Sequence, residues 1–344
     1  MTRQAVVLFN LGGPDTLKAV EPFLINLFCD RAIIRLPGPL RWLVAQAIAK
    51  RRAPVARAIY EQLGGSSPIL ANTEAQARAL ETALGDGTRV FIAMRYWHPL
   101  SRETVQEVKD WAPDRIVLVP LYPQFSTTTT ASSLAAWRKE AKLSGLAVPT
   151  QILCCYPTEP GFVTAIAEGL KAGLTEFPAG SKVRILFSAH GLPERIVAGG
   201  DPYLWQVQRT VEAVLTRLGR RDLDTMICFQ SRVGPLRWLL PSTEAEIRQA
   251  GAERKALIVV PISFVSEHSE TLVELDKKYS QLAHTVGVPA YRRLPAVATH
   301  AAFIEGLARE ICRLRAKGWE LESAQGGRQC PRAYGGCLFA EKVS

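Results

Sequence analysis

The chain reads as an α/β protein built from two similar halves, each an open four-stranded parallel sheet flanked by helices. Three observations predict this. Near-continuous apolar runs alternate with amphipathic stretches, as expected when strands buried on both faces alternate with the helices that cover them. The order of these runs repeats in the second half of the chain. With 344 residues and 47% hydrophobic content, there is enough chain and enough apolar surface for two ordinary cores.

Taken in order, AVVLFNLGGP at 5–14 is a strand running into a turn, and its counterpart is KVRILFSAHGLP at 182–193. An insertion at 36–70 follows in the first half, where Leu40, Trp42, Leu43, Val44, Ala47 and Ile48 form an apolar cluster ahead of Lys50, Arg51 and Arg52. It reads either as a core-packing helix with a solvated basic end or as a lip that touches a hydrophobic ligand or membrane. VFIAMRYWHP at 90–99 is echoed by TMICFQSRVGP at 225–235, and RIVLVPLYPQFSTTTTASSL at 115–134 by KALIVVPISFVSEHSETLVEL at 255–275. The fourth pair is TQILCCYPTEPGFVTAIAEGL at 150–170 and VPAYRRLPAVATHAAFIEGLARE at 288–310. This gives a first domain at 1–172, a second at 173–316 and a cysteine-containing tail at 317–344, with a linker near 172–181 and a last helix free to cross back to the first half. Ligands of open α/β sheets bind beyond the carboxyl ends of the strands, so NLGGP, RYWHP, SAHGLP, QSRVGP and SEHSE are expected to face one cleft.

Composition narrows the function. The net charge of +10 favours an anionic partner, but the basic residues are spread along the chain without zinc-finger spacing or an aromatic RNA-binding signature, so nucleic acid is not expected. No run approaches the roughly 20 apolar residues of a membrane span, and MTRQAVVLFNLGG enters a strand without a cleavable signal pattern; the expected location is cytoplasmic. Seven cysteines, an odd number, argue against a disulfide framework. Cys29, Cys228 and Cys312 read as small core residues, whereas Cys330 and Cys337 in the Gly-rich CPRAYGGC need another explanation. Neither GxGxxG nor GxxxxGK with a following Ser or Thr occurs, so the fold class does not imply NAD or ATP. STTTTASS at 126–133 reads as a helix cap or as a phosphate site.

Chemistry concentrates at two strand exits. SAHGLP puts His190 in a tight turn, and FVSEHSETLVELD at 264–276 gathers Glu267, His268, Glu270 and Glu274 where a strand opens into a helix. Helical spacing sets the three glutamates on one face and Leu272, Leu275 and Tyr279 on the other, with a Glu274–Lys278 surface pair as the bland alternative. An imidazole opposite carboxylates suits acid–base work. It also suits a divalent metal of borderline character such as ferrous iron, held without thiolates.

The ordered set NLGGPDT, FLINLFCDRAIIRLP, GGSSPI, RYWHP, YPQFSTTTTASSL, SAHGLP, CFQSRVGPLRWLLPST and FVSEHSETLVELD resembles the ferrochelatase family over nearly the whole chain. The resemblance implies a chelatase-like fold of two Rossmann-like domains around a porphyrin cleft. It implies insertion of ferrous iron into protoporphyrin to give haem, with coproporphyrin as the alternative substrate. By position, His190 and Glu270 are the facing catalytic pair: His190 takes pyrrole protons or helps hold the metal, and Glu270 assists proton exit or metal delivery. Glu267, His268 and Glu274 resemble the supporting acidic path to the metal, while Leu11, Arg51, Tyr60, Arg95, Phe264 and Trp238 match positions that line or anchor the porphyrin. Iron is then a substrate, and no cofactor is needed for the chemistry.

Many family members hold a 2Fe–2S cluster with three C-terminal cysteines and one from mid-chain. This tail offers only Cys330 and Cys337; Cys154 and Cys155 would complete four thiolates, although adjacent strand residues point to opposite faces. The resemblance also brings in a monomer or homodimer, peripheral contact with the inner membrane, and contact with the preceding haem-pathway oxidase. Two other readings compete: a cobalt or nickel chelatase, and a two-lobed haem- or metal-binding protein without turnover. The second would not need His190 opposite a carboxylate cluster.

Overall fold

A computed structural model describes residues 2–220, 222–232, 234, 236–318 and 320–342. They form two compact units, 1–155 with 308–327 and 156–307 with 328–344. The first contains β1 (Gln4–Asn10), α1 (Val20–Phe28), α2 (Gly38–Glu61), α3 (Ile69–Leu84), β2 (Thr88–Met94), α4 (Ser101–Trp111), β3 (Arg115–Pro120), α5 (Thr130–Ser144) and β4 (Thr150–Leu153). The second contains α6 (Pro160–Thr175), β5 (Val183–His190), α7 (Glu194–Ala198), α8 (Tyr203–Leu218), β6 (Asp224–Gln230), α9 (Thr243–Ala252), β7 (Ala256–Pro261), a π-helix (Glu270–Tyr279), α10 (Ser280–Thr285) and β8 (Tyr291–Arg293). α11 (Ala301–Lys317) starts in the second unit and ends in the first, and β9 (Leu321–Glu322) lies in the first.

Both sheets are parallel, in the orders β2-β1-β3-β4-β9 and β6-β5-β7-β8. The strand runs are apolar on both faces because helices cover both, and every residue of β1 and of β7 is buried. Deep in the second unit Leu186, Leu257 and Leu275 are fully buried, so truncating Leu275 to alanine is expected to cost about 2–5 kcal/mol.

The first sheet has five strands where four were expected. β9 adds only the pairs Ile152↔Leu321 and Leu153↔Glu322, too short a stretch to show any hydrophobic period. The division also falls at 155/156 rather than 172/173. α6 covers the second sheet, and a Cβ added at Gly173 would lie 2.8 Å from Leu294, so the stretch at 172–181 is inside the second unit and not a linker. The tail at 328–344 belongs to the second unit as well, where Gly336 donates to the Gly200 carbonyl at 3.0 Å.

The insertion forms α2, and its inward face fits the core-packing reading. Ala45, Ala49, Ala53 and Tyr60 face inward, and the small Ala49 and Ala53, one turn apart, let α2 lie close to Val20, Phe23 and Leu24 of α1. Leu40, Trp42 and Leu43 point outward, each about half exposed (49%, 51% and 58%).

Candidate active site

The second unit brings three strand exits together. His190 is the last residue of β5, and the next position must be glycine, since a Cβ at Gly191 would lie 2.7 Å from the Gln230 carbonyl oxygen. β6 ends at Gln230, and Ser231 follows in the left-handed region with φ +61°. β7 ends at Pro261, which has no N–H to continue a ladder, and the chain runs through residues 262–269 into the π-helix.

His190 Nε2 lies 3.7 Å from Glu270 Oε2, with side chains 38% and 26% exposed. This is ion-pair range, longer than a hydrogen bond. Burial pushes the Glu270 carboxyl up, but His190, His268 and the Ser231 hydroxyl outweigh it and hold the group below its ordinary value. Glu270 is therefore a carboxylate at neutral pH.

Ser231 Oγ is 2.8 Å from Glu270 Oε2 and 2.6 Å from Glu274 Oε2. A hydroxyl carries one proton, so Ser231 donates to one of the two carboxylates at a time. Glu274 Oε1 also accepts from the Ser231 N–H at 3.2 Å and from the Tyr279 hydroxyl at 2.9 Å, and Gln230 Nε2 lies 3.3 Å from Glu274 Oε2. The expected surface pair with Lys278 is not formed; Lys278 binds Glu244 at 2.6 Å instead. Tyr279, expected on the face opposite the glutamates, reaches Glu274 because the i→i+5 pattern of a π-helix widens the turn and brings residues four and five apart onto one side.

His268 is buried, and its Nδ1 lies 3.1 Å from the Ser266 carbonyl. A carbonyl only accepts, so Nδ1 carries a proton in this contact and Nε2 is the ring nitrogen left facing elsewhere. Phe264 stands beside both imidazoles, 4.7 Å from the His268 ring and 6.4 Å from that of His190. Trp238 bridges to Pro193 in the turn after His190, and its Nε1–H is a buried donor without a partner among the described residues.

Glu267 does not join the other two glutamates, correcting the one-face expectation. It precedes the π-helix, and its Oε1 accepts from Arg293 Nη1 at 2.5 Å and from the Ala296 N–H at 2.8 Å. Burial raises its carboxyl, but the Thr271 hydroxyl, Arg293 and Ala296 outweigh it and hold it below the ordinary range. Arg293 also grips Asp276, so Glu267 belongs to a part-buried strut that ties the segment entering the π-helix.

In the first unit, Arg95 donates from Nη2 to Asp30 Oδ2 at 2.9 Å and from Nε to Ser132 Oγ at 2.7 Å, and the Tyr96 hydroxyl donates to the same Asp30 oxygen at 2.7 Å. Asp30 is buried, and Ser132 also donates to it. These contacts commit the Ser132 hydroxyl of STTTTASS to an internal network, which leaves it unavailable to a phosphate. Arg51 is exposed, and Leu11 packs partly buried against the cluster shared by α1 and α2. Tyr60 is 7% exposed and packs within that same cluster.

The family model described as Ferrochelatase matches residues 3–314. The ferrochelatase of Caulobacter vibrioides (strain NA1000 / CB15N) is 48% identical over 345 residues, covering 99% of this chain and 98% of that one. The chain belongs to the ferrochelatase family. The ferrochelatases of Phenylobacterium zucineum (strain HLK1) and Rickettsia bellii (strain OSU 85-389) are 50% and 44% identical, covering 97% and 98% of this chain and 97% and 95% of their own. Among solved structures, the sirohydrochlorin chelatase SirB from Bacillus subtilis subspecies spizizenii in complex with cobalt aligns with TM-score 0.54 at 10% identity, over 92% of this chain and 98% of that one. SirB from Bacillus subtilis with Fe3+ gives 0.51 at 12%, over 93% and 99%. These likenesses show a chelatase fold.

For a ferrochelatase-family chain, two features lay beyond sequence reasoning. Ser231 and Gln230 sit in the QSRVGP segment expected at the site, yet neither residue type announces that it will hold a pair of carboxylates. The cysteines also need sorting. Cys330 and Cys337 are buried in the tail, and Gln206 Nε2 donates to Cys330 Sγ at 3.2 Å. A hydrogen bond from the Cys330 thiol lowers the Cys337 pKa to about 6, against the opposing effect of burial. Cys154 and Cys155 are buried just past β4, their backbones tied to Glu322 and Ala324. Among the described residues no three His, Cys, Asp or Glu side chains gather as a metal-holding group, so the four cysteines do not stand as a ready four-thiolate cage. Cys228 is a core residue as expected, its thiol pushed up to about 12 by burial, but Cys312 is exposed on α11.

Proposed function

We propose that this chain inserts ferrous iron into protoporphyrin IX to form protohaem, with His190 and Glu270 as the reacting side chains. The observation that carries the reading is the His190 imidazole 3.7 Å from an ionised Glu270, at the exits of neighbouring strands in a ferrochelatase-family chain. Metal insertion releases two pyrrole protons for each iron bound. His190 takes them in turn as a base, and Glu270 stabilises the imidazolium and passes protons on toward Ser231 and Glu274. His268 Nε2, Glu270 and Glu274 are the donors on the path of incoming iron, oxygen and nitrogen ligands without thiolates. Leu11, Phe264 and Trp238 are the porphyrin contacts in this reading, with Arg51 and Arg95 serving the propionates, Arg95 through the edge that Asp30 leaves uncovered. Iron is the substrate, and the reaction needs no resident cofactor.

The test is anaerobic incubation of purified protein with ferrous iron and protoporphyrin, following haem absorbance. His190→Ala and Glu270→Gln are each expected to lose about 10²–10⁴-fold in turnover while remaining folded. Wild-type turnover in either variant removes that residue from the assignment. Running coproporphyrin alongside separates the two substrates; the apolar outer face of α2 favours the less acidic one. Stoichiometric haem capture without turnover would favour the binding-protein reading.

Among the described residues no helix is long and apolar enough to cross a membrane. The reading puts the enzyme in the cytoplasm, with Leu40, Trp42 and Leu43 resting against the inner membrane beside basic residues of the same helix. Sedimentation with anionic vesicles should fall at least tenfold in Leu43→Glu. For the tail, the favoured role is that Cys330 and Cys337 supply two of the thiolates of a 2Fe–2S cluster, supported by the lowered Cys337 pKa. Acid-labile sulfide and visible absorbance that vanish in Cys337→Ser would support this; protein that is colourless when isolated anaerobically would overturn it.

A further inference from the structure

His190 is the last residue of β5, and its backbone polar groups need partners that the sheet cannot give. On the β6 side the pairing continues one step past the strand, through Gly191 N–H to the Gln230 carbonyl at 2.9 Å. On the β7 side it stops earlier: the last ladder bond runs from Ile262 N–H to the Ser188 carbonyl at 3.1 Å, and the strand before it closes on Pro261. Alternation in a parallel ladder turns the N–H and C=O of His190 toward that vacated side.

Two side chains stand there in place of a strand. Ser263 Oγ accepts from the His190 N–H at 3.4 Å, and the Tyr203 hydroxyl donates to the His190 carbonyl at 3.0 Å. Ser263 Oγ and the Tyr203 oxygen are 2.9 Å apart. The donors close without conflict: the His190 N–H donates to Ser263, the Ser263 O–H to Tyr203, and the Tyr203 O–H to the His190 carbonyl. Each hydroxyl gives one proton and receives one. Tyr203 is 6% exposed and is fixed in turn by Asp201, whose Oδ1 accepts from the Tyr203 N–H at 2.9 Å. Burial pushes its phenol well above the usual range, so it remains a donor at any working pH.

We propose that Tyr203 and Ser263 are positioning residues that hold the backbone of His190 in a closed hydrogen-bonded ring, setting the direction of its imidazole toward Glu270. The inference rests on His190 being a reacting side chain. Neither residue has to touch porphyrin or iron. Breaking the ring anywhere frees the strand end, and a displacement of about 1 Å at a reacting group costs about a hundredfold in rate.

The experiment is steady-state metallation of protoporphyrin by Tyr203→Phe, Ser263→Ala and the double variant, with porphyrin affinity measured by fluorescence quenching and the folded fraction by thermal melting. Each single variant is expected to lower kcat ten- to hundredfold with KM for porphyrin within twofold. The double variant should fall no more than about twofold below the worse single, because one break already opens the ring. Wild-type kcat in Tyr203→Phe, losses that follow only the folded fraction, or single losses that multiply in the double variant each overturn the proposal. Should Tyr203→Phe fail to fold, the half-buried Ser263→Ala decides alone. His190→Ala is run in parallel: if it retains turnover the site reading fails, and if it is dead while both ring variants are fully active only this inference fails.

Discussion

Replacing Ser231 by alanine removes the hydroxyl between Glu270 and Glu274 and nothing else of comparable size. A hydrogen bond to a charged group is worth about 1.5–3 kcal/mol, and a single hydroxyl proton makes only one such bond at a time. Glu270 is 26% exposed and regains part of the loss from water, so the lower figure applies to stability. For a unit of this size that is a fall in Tm of roughly 3–6 °C. The larger effect is on rate. Without the tether the two carboxylates repel and Glu270 is free to rotate away from His190, so kcat is expected to drop ten- to a hundredfold with the porphyrin KM unchanged. Two further variants separate geometry from strain. Ser231→Gly suits the left-handed backbone at φ +61°, so it should recover Tm but not kcat. Ser231→Thr keeps the hydroxyl on a β-branched residue that this backbone disfavours, so it should lose Tm while retaining more kcat than alanine. The assays are differential scanning calorimetry and anaerobic haem formation. Wild-type turnover in Ser231→Ala would refute the claim that the hydroxyl organises the pair.

Further outcomes follow from neighbouring contacts. Arg293→Ala strands Glu267 and Asp276 without the cation they share and should cost about 1.5–3 kcal/mol; calorimetry showing a Tm loss under about 2 °C would count against the strut. The folded carboxyl of Glu267 lies below its unfolded value near 4.3, so the stabilisation is present above that pH and is lost as pH falls through the folded value. Glu267→Gln should therefore flatten the acid limb of the unfolding profile, and an unchanged limb would rule out this carboxyl as its source. Thiolate absorbance in the metal-free protein should show a Cys337 midpoint near pH 6 that moves toward 9 in Cys330→Ala; a midpoint that stays put would mean the Cys330 thiol is not the cause.

The parts of this architecture legible in the sequence are those with a long signal. Strands buried on both faces write themselves as apolar runs, and the duplication showed because eight such runs keep one order. β9 escaped because two residues make no period, and the domain boundary was misplaced because α6 is amphipathic in either unit. At the site, His190, His268 and Glu270 were readable as chemistry-bearing types at strand exits. The partition of the glutamates was not: helical spacing assumes a regular turn, and the π-helix changes which residues share a face. The packing of Tyr60 and the Arg95–Asp30 pair were not readable either, because their partners lie tens of residues away along the chain.

Comparing the two units on their shared backbone bonds shows where the chemistry entered. Leu121 donates to the Phe9 carbonyl in one and Ile262 to the Ser188 carbonyl in the other; likewise Met94 to Pro99 and Phe229 to Pro241. Aligned on these bonds, Leu11 stands where His190 stands, Arg95 where Gln230 stands, and Tyr96 where Ser231 stands. In the first unit the large side chains at the β2 exit turn onto one carboxylate, Asp30, and bury it under Tyr96 and Arg95. Arg95 and Tyr96 there answer the Asp30 charge and tie that strand end into an internal network. In the second unit the small Ser231 leaves room for two carboxylates to approach one hydroxyl, with an imidazole in reach and more than a third exposed. The fold thus supplies the same frame twice, and side-chain size at the β2 and β6 exits decides which copy closes on itself and which keeps an imidazole and a carboxylate partly open, as the proposed reading requires.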